Sequence, residues 1–154
     1  MKLAETLPEN ASALDRASWM VVRRPGADNA AYQRALRQAE AACRAAPDVA
    51  DYLTTLGAAY CRVAKWQDAS EALKRSVRLR RGIDNGAWWY LALAHWHLGD
   101  RAEARRGFEH FSRWLQANRP HDEELQRLRA EVAQVVAGLG PMAPQGEEGL
   151  TREK

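Results

Sequence analysis

The chain has 154 residues, a formal net charge of +3, 46% hydrophobic and 28% charged residues. That size accommodates one domain with its own core and excludes two large ones, and the interspersed charge suits a solvated helical surface better than a dedicated polyanion binder. The most apolar stretch, 87–98, is interrupted by His95 and His97 and is too short to cross a bilayer.

The first helix is predicted from about Ser12 to Arg23, stopped by Pro25-Gly26, with residues 1–11 a poorly ordered arm. Asp28 or Asn29 can cap a second helix that runs to Ala46 and ends before Pro47. A third runs from near Asp48 to Val63, and a fourth from Trp66 to Arg80, closed by Gly82. Asn85-Gly86 breaks the chain before a fifth helix, Ala87 to Leu98, with Gly99 as its C-cap. Asp100 and Glu103 have capping-box spacing for a sixth helix reaching Ala117, and Arg119-Pro120 ends it. A seventh covers Asp122 to Ala137, with acidic residues in its first turn, where the helix dipole favours them. Residues 139–154, rich in Gly, Pro and charge, read as a flexible tail.

The helices recur in pairs. Ala35, Ala69 and Ala104 are spaced by 34 and 35 residues, and 12 residues upstream of each stand Arg23, Gly57 and Ala92. A period of this length marks a helical repeat array. Within the third helix Leu53, Leu56, Gly57 and Tyr60 share one face, and Trp88, Leu91, Ala92 and His95 repeat the spacing in the fifth. Gly57 implies a close helix crossing, with Ala69 and Leu73 as the contact.

Leu53-x2-Leu56-Gly57-x2-Tyr60 with Ala69-x3-Leu73, and Trp88-x2-Leu91-Ala92-x2-His95 with Ala104-x3-Phe108, resemble the tetratricopeptide repeat. In the first repeat the pattern is degenerate: Trp19-x2-Val22 leads into Arg23 and Pro25. The stretches His95-Trp96-His97-Leu98-Gly99-Asp100 and Asn118-Arg119-Pro120-His121-Asp122-Glu123-Glu124-Leu125 further resemble the C-terminal repeat module of large planctomycete-type bacterial proteins, many of them serine/threonine kinases. No kinase motif occurs in this chain. The resemblance implies an all-α, right-handed solenoid of three helix pairs (12–47, 48–83 and 84–120) plus a C-terminal capping helix, 121–138. That helix is expected to cover the end of the stack with Leu125, Leu128, Val132 and Val135.

In the resembled family the first helix of each pair lines a concave groove for a peptide. One step round from the core stripe, the groove-facing residues are Thr54, Ala58, Cys61 and Arg62 of the third helix, and Trp89, Leu93, Trp96 and His97 of the fifth. Met20 and Arg24 belong with them from the first. Such a groove is apolar and aromatic, edged by Arg62, and lacks the Lys and Asn of a carboxylate clamp. Trp88 reads as core, and Trp19, Trp66 and Trp114 as structural; Trp89 and Trp96 suit either a partner surface or packing between repeats.

His95 and His97, two residues apart on a helix, point to different sides, and His110 and His121 have no matching partner, so no metal site is expected. Lys74, Arg75, Arg78 and Arg81 form a basic stripe that reads mainly as a solvated face. Ser18, Ser70, Ser76 and Ser112 lack any nucleophile context, and no phosphate-binding Gly-rich loop is present. Cys43 and Cys61 read as free thiols in a reducing compartment, and residues 1–18 lack the apolar run of a signal peptide. The expectation is a cytoplasmic, non-catalytic protein-interaction module without cofactor, binding a protein or peptide. Homo-oligomerisation is the alternative, and nucleic-acid binding through the basic stripe a disfavoured third.

Overall fold

The computed structural model describes residues 3–81 and 86–137. Among them are seven α-helices and no strand: α1 (Leu3–Val22), α2 (Asn29–Ala45), α3 (Ala50–Arg62), α4 (Trp66–Leu79), α5 (Ala87–His97), α6 (Arg101–Asn118) and α7 (Glu123–Ala137). The fold is all-α. The proposed helix stop at Gly82, the Asn85 break and the 139–154 tail lie outside the described residues.

Local chemistry accounts for the helix ends. Asp28 caps α2 by accepting the Ala31 amide at 2.7 Å, and Asp100 caps α6 by accepting that of Glu103 at 3.2 Å. Gly99, at φ +88, closes α5: the left-handed turn lets the Asp100 amide reach back to the His95 carbonyl at 2.9 Å. The start of α1 departs from expectation. It begins at Leu3, not near Ser12, and Ala11 is already buried.

Consecutive helices pack against each other throughout, and α1 touches α3, α3 touches α5, and α5 touches α7. Among the described residues α2 does not reach α4, nor α4 α6. The odd-numbered helices therefore make a continuous row, while the even-numbered ones stand apart on the other side.

Small residues set the crossings within each pair. An added Cβ on Gly57 would lie 2.3 Å from Leu73 Cγ, so the glycine is what lets α4 approach α3. In the third pair Ala92 meets Gly107, where a Cβ would sit 3.4 Å from that of Ala92. The first pair uses Ser18, not Arg23. Ser18 is fully buried and its hydroxyl donates to the Ala35 carbonyl at 2.8 Å. A bonded hydroxyl avoids the desolvation penalty of a bare one, so serine can serve where glycine or alanine does elsewhere. Arg23 lies one residue beyond α1 and faces α7.

Candidate functional site: the inner face of the odd-helix row

The residues expected to line the groove do not share a surface. Trp89 is 0% exposed and lies edge-on to Phe111 at 4.0 Å and tilted to Phe108 at 5.5 Å, both on α6. Ala58, Leu93 and Trp96 are buried as well. Thr54 is buried too, its hydroxyl 2.8 Å from that of Ser76, with both in reach of the Ala50 carbonyl. These five are corrected from groove to core. For Trp89, Leu93 and Trp96 the reason is the setting of α5, which is covered by α3, α4, α6 and α7 together and has apolar residues on every side; Thr54 and Ala58 lie on α3, which α1, α2, α4 and α5 surround. Cys61 is likewise buried, its thiol directed at the Tyr90 carbonyl at 3.6 Å.

Met20 is 56% exposed. His97 is exposed and stacked flat on Trp66 at 3.9 Å, while His95 turns toward Lys74 and Glu103 in the furrow between α4 and α6. The two histidines thus serve different neighbours, and burial lowers the pKa of each below the usual 6.5. Arg101 covers Trp96 with its guanidinium, 4.9 Å from the ring. Among the described residues no three His, Cys, Asp or Glu side chains converge on a metal position, and no described helix is long and apolar enough to cross a membrane.

Arg62, expected as an arginine edging the groove, is nearly buried and already paired within the fold. It ends α3 on the inner side, its side chain only 9% exposed. Its Nε donates to the Val22 carbonyl at 2.7 Å, joining α3 to the last turn of α1. Both terminal nitrogens donate to Glu131 of α7, a two-pronged pair. Desolvation is the largest single influence and works against the Arg62 charge, but the bonds to Glu131, with Tyr90, the Glu131 charge and Tyr32, together outweigh it and raise its pKa. A second bridge runs from Arg23 to Glu124 at 3.2 Å. The backbones of α1 and α3 do not come close to α7, so these two arginines span the gap.

Sequence reasoning missed Arg23, Glu124 and Glu131 as a set. The one available signal was the seven-residue spacing of the two glutamates, which puts them on one helix face. On the adjoining face Leu128, Val132 and Val136 are buried, and Leu125 and Val135 are half-buried. Val136 thus takes the place foreseen for Val135.

Beside the bridges, between α1 and the α6–α7 corner, lies a cleft of about 500 Å³ lined by Trp19, Asp51, Arg80, Trp114, Asp122 and Leu125. Asp51 is ion-paired with Arg80, and Trp19 meets the Tyr90 ring edge-on at 6.4 Å. On the other side of the bridges Arg24, Pro25, Arg127 and Gln134 border a smaller cleft of about 320 Å³. The two Arg–Glu pairs therefore lie between two clefts.

No protein-family model matches the chain, and no curated protein is significantly similar to it.

Proposed function

We propose that the chain is a tetratricopeptide-like, right-handed solenoid of three helix pairs closed by α7, and that it works as a non-catalytic protein-interaction module. The observation that carries this reading is the unbroken contact row α1–α3–α5–α7, with the even helices held apart behind it. Such a row presents one inner face built from several repeats, the architecture by which stacked helix pairs receive a partner segment. The stretch of inner face open to a partner is the Trp19–Trp114 cleft, not the side chains of α5; Arg23 and Arg62 beside it are engaged by α7.

The test is hydrogen exchange of the full chain with and without a partner retrieved by proximity labelling and then purified. Slowed exchange on the inner side of α1, α3 and α7 is the expected result. Protection confined to α2, α4 and α6 would move the site to the outer face. Catalytic turnover of the partner would overturn the reading.

A further inference from the structure

From the way α7 is held, we infer that the inner face is a receptor for an acidic amphipathic helix, and that α7 is a resident occupant which such a helix from a partner displaces. The inference rests on the interaction-module reading and names the chemistry of its ligand.

Three observations support it. The seat recognises α7 by a short pattern: carboxylates at Glu124 and Glu131 meet Arg23 and Arg62, and Leu128, Val132 and Val136, at four, eight and twelve residues after Glu124, fill the apolar side. A partner helix that carries two acids seven residues apart, with apolar residues at that spacing, meets the same groups. Toward α1 and α3, α7 is held by side-chain bridges across a gap rather than by close backbone packing. Finally, the seat is imperfectly satisfied. The Tyr90 hydroxyl, Arg23 Nε and Glu124 Oε1 are buried without a hydrogen-bond partner. Burial dominates in raising the Tyr90 pKa, and Glu131 and Glu124 are close enough to add to it. A helix that offers these groups partners gains over α7, because unpaired buried polar atoms are costly to keep.

The experiment uses the full chain and a fluorescein-labelled peptide with the sequence of residues 122–137. α7 competes from a short tether at high effective concentration, so wild type is expected to bind the peptide weakly. Glu124→Gln/Glu131→Gln, which keeps the size of both side chains but removes the resident charges, is expected to bind it about tenfold more tightly. The same peptide with both glutamates replaced by arginine is expected not to bind that variant. Adding Arg23→Glu and Arg62→Glu should reverse the preference, so that the arginine peptide binds and the acidic one does not.

Equal affinity of wild type and the Gln variant, or no binding to the Gln variant, overturns the inference. So does doubling of the Gln variant's mass without peptide, which would show a second copy supplying the helix. Should the peptide fail while a purified partner still protects the inner face, the acidic-helix inference falls and the interaction-module reading stands.

Discussion

Trp89 is the largest fully buried side chain, and its ring is wedged among α6 aromatics with its indole N–H unpaired. Trp89→Ala is expected to destabilise the fold by about 3–5 kcal/mol, whereas Trp89→Phe, which removes the orphan donor and keeps a ring, should cost less, about 1–2 kcal/mol. Urea unfolding followed by circular dichroism measures both, and a Trp89→Ala variant of wild-type stability would contradict the core assignment. Gly57 gives a second measurement at this scale. Gly57→Ala improves helix propensity by about 1 kcal/mol but drives its methyl into Leu73. Leu73→Ala leaves room for that methyl, so the double variant should be more stable than the sum of the single changes predicts, by about 1 kcal/mol or more in a double-mutant cycle. His95 adds a pH dependence. Burial and then Lys74 lower its pKa below 6.5, opposed by Asp100 and Glu103. As pH falls the unfolded chain takes the proton first, so the neutral ring's contribution is full above 6.5 and is lost as pH drops through the folded-state value. His95→Gln should therefore lose less Tm than wild type between pH 7 and pH 5.

At the scale of elements, the Arg62–Glu131 pair is the contact whose removal should be felt farthest from its own position. Arg62→Glu leaves two carboxylates facing each other in a largely dehydrated place and frees the Val22 carbonyl. It is expected to cost about 2–4 kcal/mol, and Arg62→Glu/Glu131→Arg should recover part of that. Thermal melts of the two variants and wild type decide it; no recovery in the swapped pair would mean that the Val22 bond, not the ion pair, carries the effect. The elements also show what could be read in advance. The Gly57–Leu73 crossing was legible because glycine at the small-residue position of an apolar stripe has a steric cause. The caps at Asp28 and Asp100 were legible for an equally local reason, an acid beside free amides. The α1 register was not, because its contact residue is Ser18, and a polar residue satisfied by a distant carbonyl leaves no mark in hydrophobic periodicity. The phase of α5 was hidden for the opposite reason: a helix apolar all round gives no direction, so Trp89 and Trp96 read equally well as groove or core, and Leu93 read as groove.

For the whole molecule, the all-α class was legible from helical periodicity, but the bridging of α7 to α1 and α3 was not. Arg23 and Glu124 lie 101 residues apart, and Arg62 and Glu131 69 apart, beyond the reach of any local pattern. A chain ending at Pro120 loses the cover over the last pair as well as both bridges. It is expected to retain most helix signal per residue yet to aggregate with rising concentration, as light scattering would show. A soluble monomer of that length would count against α7 as a structural closure.

The contact pattern also has a mechanical meaning. The odd-numbered helices form one row, and each even-numbered helix packs against its neighbours in that row without reaching the next even one. The two Arg–Glu bridges skip over neighbours in that row and so act as struts that triangulate it. The strut at Glu124 is the more hydrated, with that side chain 37% exposed against 22% for Glu131, and it is the one that added salt weakens first. How firmly α7 is tied to α1 and α3 thereby depends on the ionic strength around two side-chain pairs.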